Sequence, residues 1–175
     1  MTETDKSQRP FALLTRGDPA PWFQQCSTSN EQYQFNMAAG RYIVMCFFGV
    51  GESTAAKMAL DAVAVNRNLF DDEQICFFGV SMDPRDEAEK RVVPSLPGIR
   101  HLWDFDGTVG RLYGAVPADS TPGETPLPYK RFWMVLDPTL RIRAVFPFRA
   151  DNSHQAVFGY LRALPKLDLF AGIEV

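Results

Sequence analysis

Side chains that can bind an anion follow the first long apolar run of the sequence. That run spans 42–48, and Ser53, Thr54 and Lys57 come shortly after it. Two hydroxyl groups, an ammonium group and the free N–H groups of a helix start can together hold a carboxylate or a phosphate. Against this, surface lysines commonly extend into solvent, and Glu52 is near enough in sequence to neutralise Lys57. The stretch is either an anion site or a solvated helix start.

A strand followed by a helix must position these side chains. Tyr42–Phe48 is continuously apolar, which indicates a strand buried on both faces. In open α/β sheets, ligands collect at the carboxyl edge of such strands. After a loop with two glycines, apolar residues recur with the period of a helix. The helix face predicted to pack inward comprises Ala55, Met58, Ala62, Val65 and Leu69.

The three cysteines are the other candidates for chemistry. Cys46 and Cys76 each lie inside an apolar run, which predicts buried, unreactive thiols, whereas Cys26 lies in a polar stretch. Cys26 is therefore the candidate redox thiol, although its sequence neighbours supply neither a cation nor a helix terminus to activate it. An odd number of cysteines without Cys-x-x-Cys spacing argues against a disulfide framework.

A metal site is not expected. His101, Asp104 and Asp106 are close in sequence, but the only other histidine is His154. At the end of a strand, residues with the spacing of His101 and Asp104 point to opposite faces. The two aspartates are interpreted as caps of a following helix.

Composition narrows the remaining classes of function. The chain has 175 residues, a net charge of −3 and 22% charged residues, with no long basic cluster. Nucleic acid and anionic membranes are therefore poor partners. The polar N-terminus predicts no signal peptide, and no apolar run reaches the length of a membrane span. We expect a cytoplasmic protein without a cofactor.

The remaining pattern predicts a mixed α/β fold. Extended pieces and helical pieces alternate along the chain without an internal repeat, giving the order β-β-α-β-α-β-α-β-β-α. The predicted strands are Phe23–Ser27, Glu31–Phe35, Tyr42–Phe48, Gln74–Val80, Ile99–Trp103, Arg131–Leu136 and Arg141–Phe146. The later helices are predicted at Arg85–Val92, Gly107–Tyr113 and Ser153–Leu164.

Several stretches match known motifs. Gly17–Phe23 reads Gly-Asp-x-Ala-Pro-x-Phe, Gly79–Asp83 reads Gly-Val-Ser-x-Asp, and Asp104–Gly114 keeps an Asp, a Gly and a final Tyr-Gly at fixed spacing. In this the chain resembles the peroxiredoxins, which are thiol peroxidases, over residues 17–164. The resemblance implies a thioredoxin-like fold of the peroxiredoxin type, with helices on both faces of a central sheet and an N-terminal β-hairpin.

The active-site motif of that family is matched only in part. In the family, a strand ends in two aromatic residues, a Pro follows, Thr comes four residues later and the peroxidatic Cys three residues after that. Phe47 and Phe48 match the aromatic pair and Thr54 matches the Thr. Val50 stands in place of the Pro, and Lys57 stands in place of the Cys.

The family's third active-site residue is an Arg shortly before the last hairpin, and Arg131 occupies that place. The resemblance thus implies a vestigial peroxidatic site of Thr54, Lys57 and Arg131, in which a lysine amine cannot be oxidised as a thiolate is. We expect conventional peroxidase activity to be absent. The site is instead a candidate anion site made of Ser53, Thr54, Lys57 and Arg131. The alternative is a thiol-dependent antioxidant oxidoreductase that uses Cys26.

The predicted organisation is one domain with two short extensions. Residues 1–16 are expected to be a flexible lead, 17–164 the domain, and 165–175 a tail or truncated linker. Domains of this kind also resemble the N-terminal half of bacterial proteins whose C-terminal half is an iron- and 2-oxoglutarate-dependent oxygenase, which implies a downstream oxygenase partner. Peroxiredoxins often pair through sheet edges or active-site loops, so a homodimer is also expected. Trp22, Trp103 and Trp133 are predicted to contribute to its interaction surface.

Overall fold

The central sheet has five strands, and their order explains why two of them are entirely apolar. In a computed structural model that describes residues 9–92, 95–148 and 153–168, the strand order is β5-β4-β3-β6-β7. The central strand β3 (Tyr42–Gly49) and its neighbour β4 (Ile75–Ser81) are buried at every position. A strand with a neighbour on each side and helices on both faces has no solvent-exposed position, so both faces must be apolar.

The sheet is mixed, as the sequence predicts. Strand β5 (Ile99–Trp103) pairs parallel with β4, and β4 pairs parallel with β3. Strands β6 (Phe132–Leu136) and β7 (Ile142–Pro147) form an antiparallel hairpin, and β6 pairs antiparallel with β3. A separate hairpin of β1 (Gln24–Gln25) and β2 (Tyr33–Gln34) precedes the sheet, shorter than its predicted strands.

Helices cover both faces. Helix α1 (Thr54–Val65) and helix α4 (Ser153–Arg162) pack on the face that includes Val44 and Phe77. Helix α3 (Thr108–Tyr113) and a 3-10 turn at Phe35–Ala38 pack on the opposite face. Helix α2 (Pro84–Ala88) lies after β4 and is shorter than predicted. The fold class is therefore confirmed. The predicted element order is one strand short, since the described residues form seven strands in the order β-β-β-α-β-α-β-α-β-β-α.

The inward face of α1 differs from the prediction. Ala56, Ala59 and Val63 are buried, whereas Met58 is 42% exposed and Val65 is 83% exposed. Nearly every residue of this helix is apolar or small, so the helical period fits more than one face. The small side chains face the sheet because the sheet already fills that side with large rings, including those of Phe48 and Phe77.

The described terminal residues contact the body of the domain. Arg9 pairs with Asp119 and Glu124 on the loop before β6, and the Ala118 N–H donates to the carbonyl of Pro10 at 2.8 Å. At the other end, the Leu167 N–H donates to the side chain of Gln74. The predicted lead and tail also include residues 1–8 and 169–175, which lie outside the described residues, so the domain limits stay a prediction.

Two of the tryptophans offered as interaction surface are in the core. Trp103 is 7% exposed and Trp133 is fully buried, because both lie on central-sheet strands beneath helices, whereas Trp22 is 68% exposed. Within the described part of the chain, no helix combines the length and hydrophobicity needed to cross a membrane.

Candidate functional site

Three parallel strands end side by side at one edge of the sheet, and the candidate site lies there. Strand β3 ends at Gly49 with a positive φ of 77°, a conformation that favours glycine. The ring of Tyr129 packs against Gly49, and a Cβ there would lie 3.2 Å from that ring. The Met82 N–H, just after β4, donates to the Gly49 carbonyl at 2.8 Å. Glycine therefore lets a strand end, a loop and an aromatic ring meet closely.

The start of α1 is already partly satisfied by its own residues. Ser53 is the N-cap, and its Oγ accepts from the Ala56 N–H at 3.2 Å while lying 3.2 Å from the Val50 carbonyl, to which it donates. Thr54 and Lys57 are exposed in the first turn. The capping role leaves the Ser53 hydroxyl less available for an anion than the sequence suggests.

Glu52 does not pair with Lys57. Its carboxylate instead lies 3.5 Å from the guanidinium of Arg91. Among the described residues, no carboxylate forms a salt bridge with Lys57. Within the described ranges, the Lys57 ammonium group therefore has no acidic partner at its exposed position.

Arg131 is oriented by the central strand. Its Nε donates to the Phe48 carbonyl at 3.0 Å, which fixes the guanidinium beside the end of β3. The side chain lines a cavity of about 450 Å³ at this edge of the sheet. Ser53, Thr54 and Lys57 are not among the residues that line it. The predicted anion-site residues are thus divided between the helix start and the cavity wall, and anion binding by all four stays a prediction.

The cavity includes charged residues that sequence reasoning missed. Arg85 and Arg111 line it together with Arg131, and Asp83, Asp106 and Glu124 contribute carboxylates. These residues come from the loop after β4 and helix α2, from helix α3 and the loop before it, and from the loop before β6. Arg111 lies inside the Asp104–Gly114 motif, and that motif is the sequence feature that could have indicated it. Only the packing of separate segments shows that these side chains share a cavity.

The thiols lie in environments that disfavour the thiolate. Burial raises the pKa of Cys46 well above its ordinary value and that of Cys76 to about 12. Cys26 is half-buried, and its pKa is also raised, first by burial and then by the negative charges of Glu87 and Glu31. Among the described residues all three are free cysteines. A raised pKa lowers the fraction of reactive thiolate at neutral pH.

His101, Asp104 and Asp106 do not share a site. The His101 ring is 1% exposed among Phe48, Phe77 and Trp103. Asp104 accepts from the backbone N–H groups of Val109 and Gly110, and Asp106 accepts from that of Thr108. The two aspartates therefore organise the start of α3, as predicted. In the described part of the chain, no group of three or more metal-ligating His, Cys, Asp or Glu residues occurs.

Solved structures with the same fold are peroxiredoxins. A yeast mitochondrial 1-Cys peroxiredoxin is 20% identical, with a TM-score of 0.70 over 86% of this chain and 77% of its own. A PrxQ mutant of Xylella fastidiosa is 14% identical, with a TM-score of 0.69 over 87% of this chain and 98% of its own. AhpC of Mycobacterium tuberculosis is 18% identical, with a TM-score of 0.67 over 87% of this chain and 98% of its own.

No protein-family model matches the sequence, and no curated protein is significantly similar to it. At such low sequence identity, the structural likeness establishes a peroxiredoxin-type thioredoxin-like fold.

Proposed function

We propose that this chain is a peroxiredoxin-fold binding domain that lacks a peroxidatic cysteine and does not reduce hydroperoxides. The observation that carries the proposal is Lys57, exposed in the first turn of α1 directly after the central strand. In the resemblance set out above, that is the position of the reactive thiol. Peroxide reduction needs a thiolate that attacks the O–O bond and becomes a sulfenic acid, and an amine cannot take that path.

The environments of the cysteines support the same conclusion. Cys46 and Cys76 are both fully buried, and the pKa of each is raised by burial. Cys26 is the most accessible of the three, yet burial and nearby carboxylates also raise its pKa. A peroxidatic thiol needs the opposite environment, with a cation or a helix N-terminus that lowers the pKa.

A peroxide assay with a designed cysteine tests this proposal. We expect the wild-type protein to leave hydrogen peroxide and cumene hydroperoxide unconsumed and to form no sulfenic acid after a peroxide pulse. Lys57→Cys places a thiol at the exposed start of α1, where the helix dipole lowers its pKa. This variant should form a trappable sulfenic acid, detected by mass spectrometry. Lys57→Ser is the matched control and should remain inert.

Hydroperoxide consumption by the wild-type protein would overturn the proposal if a thiol-blocking reagent abolished it. In that case Cys26→Ser, compared with Cys46→Ser, would identify the thiol responsible. Loss of activity in Cys26→Ser would establish the alternative function, a thiol-dependent antioxidant oxidoreductase.

The proposed role is binding or assembly. A small anion at the start of α1, a homodimer and a downstream oxygenase domain are the partners we propose. The exposed ammonium group of Lys57, which no described carboxylate pairs with, and the exposed residue Thr54 support the anion. Genomic sequence beyond Val175 tests the oxygenase partner, since a continuous reading frame with an iron-ligand set would establish an accessory domain.

A further inference from the structure

We propose that the cavity beside Arg131 binds an aliphatic monocarboxylate, with the carboxylate at the arginines and the chain against the apolar wall. This inference rests on the proposed binding function and names the class of ligand. It concerns a cavity that lies apart from Ser53, Thr54 and Lys57.

Two arginines of the cavity wall, Arg111 and Arg131, form no salt bridge within the described ranges, although the carboxylate of Asp106 is near enough to attract Arg111. Arg131 uses Nε for the Phe48 carbonyl, and Arg111 uses one terminal nitrogen for the Asp106 carbonyl at 2.8 Å. Among the described residues, neither forms a salt bridge with a carboxylate. Each arginine is therefore held in place by a backbone oxygen while other N–H groups stay available. A planar guanidinium matches the geometry of a carboxylate.

The guanidinium of Arg111 lies directly beside Gly107. A Cβ at Gly107, which has a positive φ of 75°, would lie 2.9 Å from the Nη1 atom of Arg111. The residue at the start of α3 thus leaves room for a guanidinium against the cavity wall. This places the arginine where two loops converge on the end of β3.

The carboxylates of the cavity wall already have partners. Asp83 is held by Arg85 at 2.8 Å and by Arg91 at 3.4 Å. Glu124 pairs with Arg9, and Asp106 accepts from the side-chain amide of Gln25 at 2.7 Å and from the Thr108 N–H at 3.1 Å. Because these carboxylates have other partners, they compete less strongly for Arg111 and Arg131 than unpaired carboxylates would, although Asp106 also attracts Arg111.

The rest of the lining is largely apolar. Val50, Met82, Phe105, Leu127 and Tyr129 contribute side chains to the wall. The volume of about 450 Å³ lies within the range of small-molecule sites. An apolar wall with converging cations fits a molecule that has one charged end and a hydrocarbon body. A small inorganic ion would leave that wall in contact with water.

The residues that line the cavity also determine how many charges the ligand can carry. Arg85, Arg111 and Arg131 are matched around the cavity by Asp83, Asp106 and Glu124, so the charged groups of the wall balance. A second charge on the ligand would have to lose its hydration against the apolar part of the lining, which costs free energy. The lining therefore favours a monoanion.

Calorimetric titration of the full chain with octanoate tests the proposal, with octanol and inorganic phosphate as comparison ligands. We expect saturable octanoate binding and much weaker binding of the other two. Across butyrate, hexanoate and octanoate, affinity should rise by up to about fourfold for each added methylene that is buried. Arg131→Gln should lower octanoate affinity at least tenfold, because a charge-assisted hydrogen bond is lost. Arg16→Gln, at an exposed arginine outside the cavity, is the matched control and should bind normally.

Denaturant unfolding of each variant without ligand verifies that its fold is intact. Equal binding of octanoate and octanol, unchanged affinity in Arg131→Gln, or tighter binding of phosphate would overturn the inference. Absence of octanoate binding without peroxide consumption would refute this ligand class and leave the proposed binding role standing. Thiol-dependent peroxide consumption would refute the proposed function itself, whatever octanoate does.

Discussion

His101 is a titratable side chain enclosed in the apolar core. Neither ring nitrogen has a hydrogen-bond partner in the described part of the chain, and the ring fills the space above Gly79, where a Cβ would lie 2.5 Å from its Cδ2 atom. Phe48 and Phe77 lie edge-on to it. Burial lowers the pKa of His101 to about 4, because the charged imidazolium has no polar surroundings.

The buried imidazole should make stability depend on pH. His101 binds a proton near pH 6.5 in the unfolded chain but only near pH 4 in the folded one. The unfolded state therefore gains protons first as pH falls, so the free energy of unfolding decreases through this window. We expect His101 to account for a loss of about 2 kcal/mol between pH 7 and pH 5, measured by urea unfolding at both values.

His101→Leu removes the titrating group and keeps an apolar side chain above Gly79. Between pH 7 and pH 5, the decrease in the free energy of unfolding should be about 2 kcal/mol smaller in this variant than in the wild type. His154→Leu, which changes the other histidine, is the control and should retain most of the wild-type dependence. An unchanged pH dependence in His101→Leu would contradict this account of the buried ring.

At the scale of elements, one buried carboxylate joins the loop after β3 to α2. Asp86 is fully buried, and its Oδ2 accepts from the Gly51 N–H at 2.9 Å and from the Ser81 hydroxyl at 2.6 Å. Its other oxygen lies 3.4 Å from the guanidinium of Arg91. A Cβ at Gly51 would lie only 2.9 Å from that carboxylate. The five-residue helix α2 therefore supports the loop that leads into α1.

Replacing this carboxylate should destabilise the fold strongly. Asp86→Ala leaves the Gly51 N–H, the Ser81 hydroxyl and Arg91 without their partner in a buried site. Breaking one side of such a network costs about 3 kcal/mol or more. Chemical denaturation followed by tryptophan fluorescence measures the loss. Glu87→Gln, exposed on the same helix, should change the free energy of unfolding little, and equal effects of both variants would contradict a structural role for Asp86.

At the scale of the whole molecule, the surface still presents large apolar side chains. Trp22 is 68% exposed and Met37 is 72% exposed. Strands β5 and β7 form the two edges of the sheet. Exposed aromatic side chains are frequent anchors of protein interfaces. These features support the proposal that two copies of the chain associate.

Size-exclusion chromatography with light scattering tests that association. We expect a dimer at micromolar concentration and a shift toward monomer in Trp22→Ser, because the aromatic anchor is lost. Val65→Ser, at an exposed apolar residue on α1, should leave the dimer intact. A monomeric wild-type protein would refute the proposal, and an unchanged dimer in Trp22→Ser would show that another surface carries the contact.

Much of the fold could be predicted from local sequence. The continuous apolar runs at 42–48 and 75–80 predict central strands because only a strand with neighbours on both sides is buried at every position. Gly, Pro and Asp at the element ends predict most boundaries through their backbone preferences. The caps formed by Asp104 and Asp106 were predictable for the same reason, since capping involves residues only a few positions apart.

Contacts between distant segments were decided only by the tertiary structure. The inward face of α1 was set by the size of the rings beneath it, since its nearly uniform apolar composition left several faces equivalent. Arg111 and Arg131 share a cavity because helix α3 and the loop before β6 both lie beside the end of β3. Sequence spacing records neighbours along the chain, whereas a cavity is formed by segments that meet only after the sheet has closed.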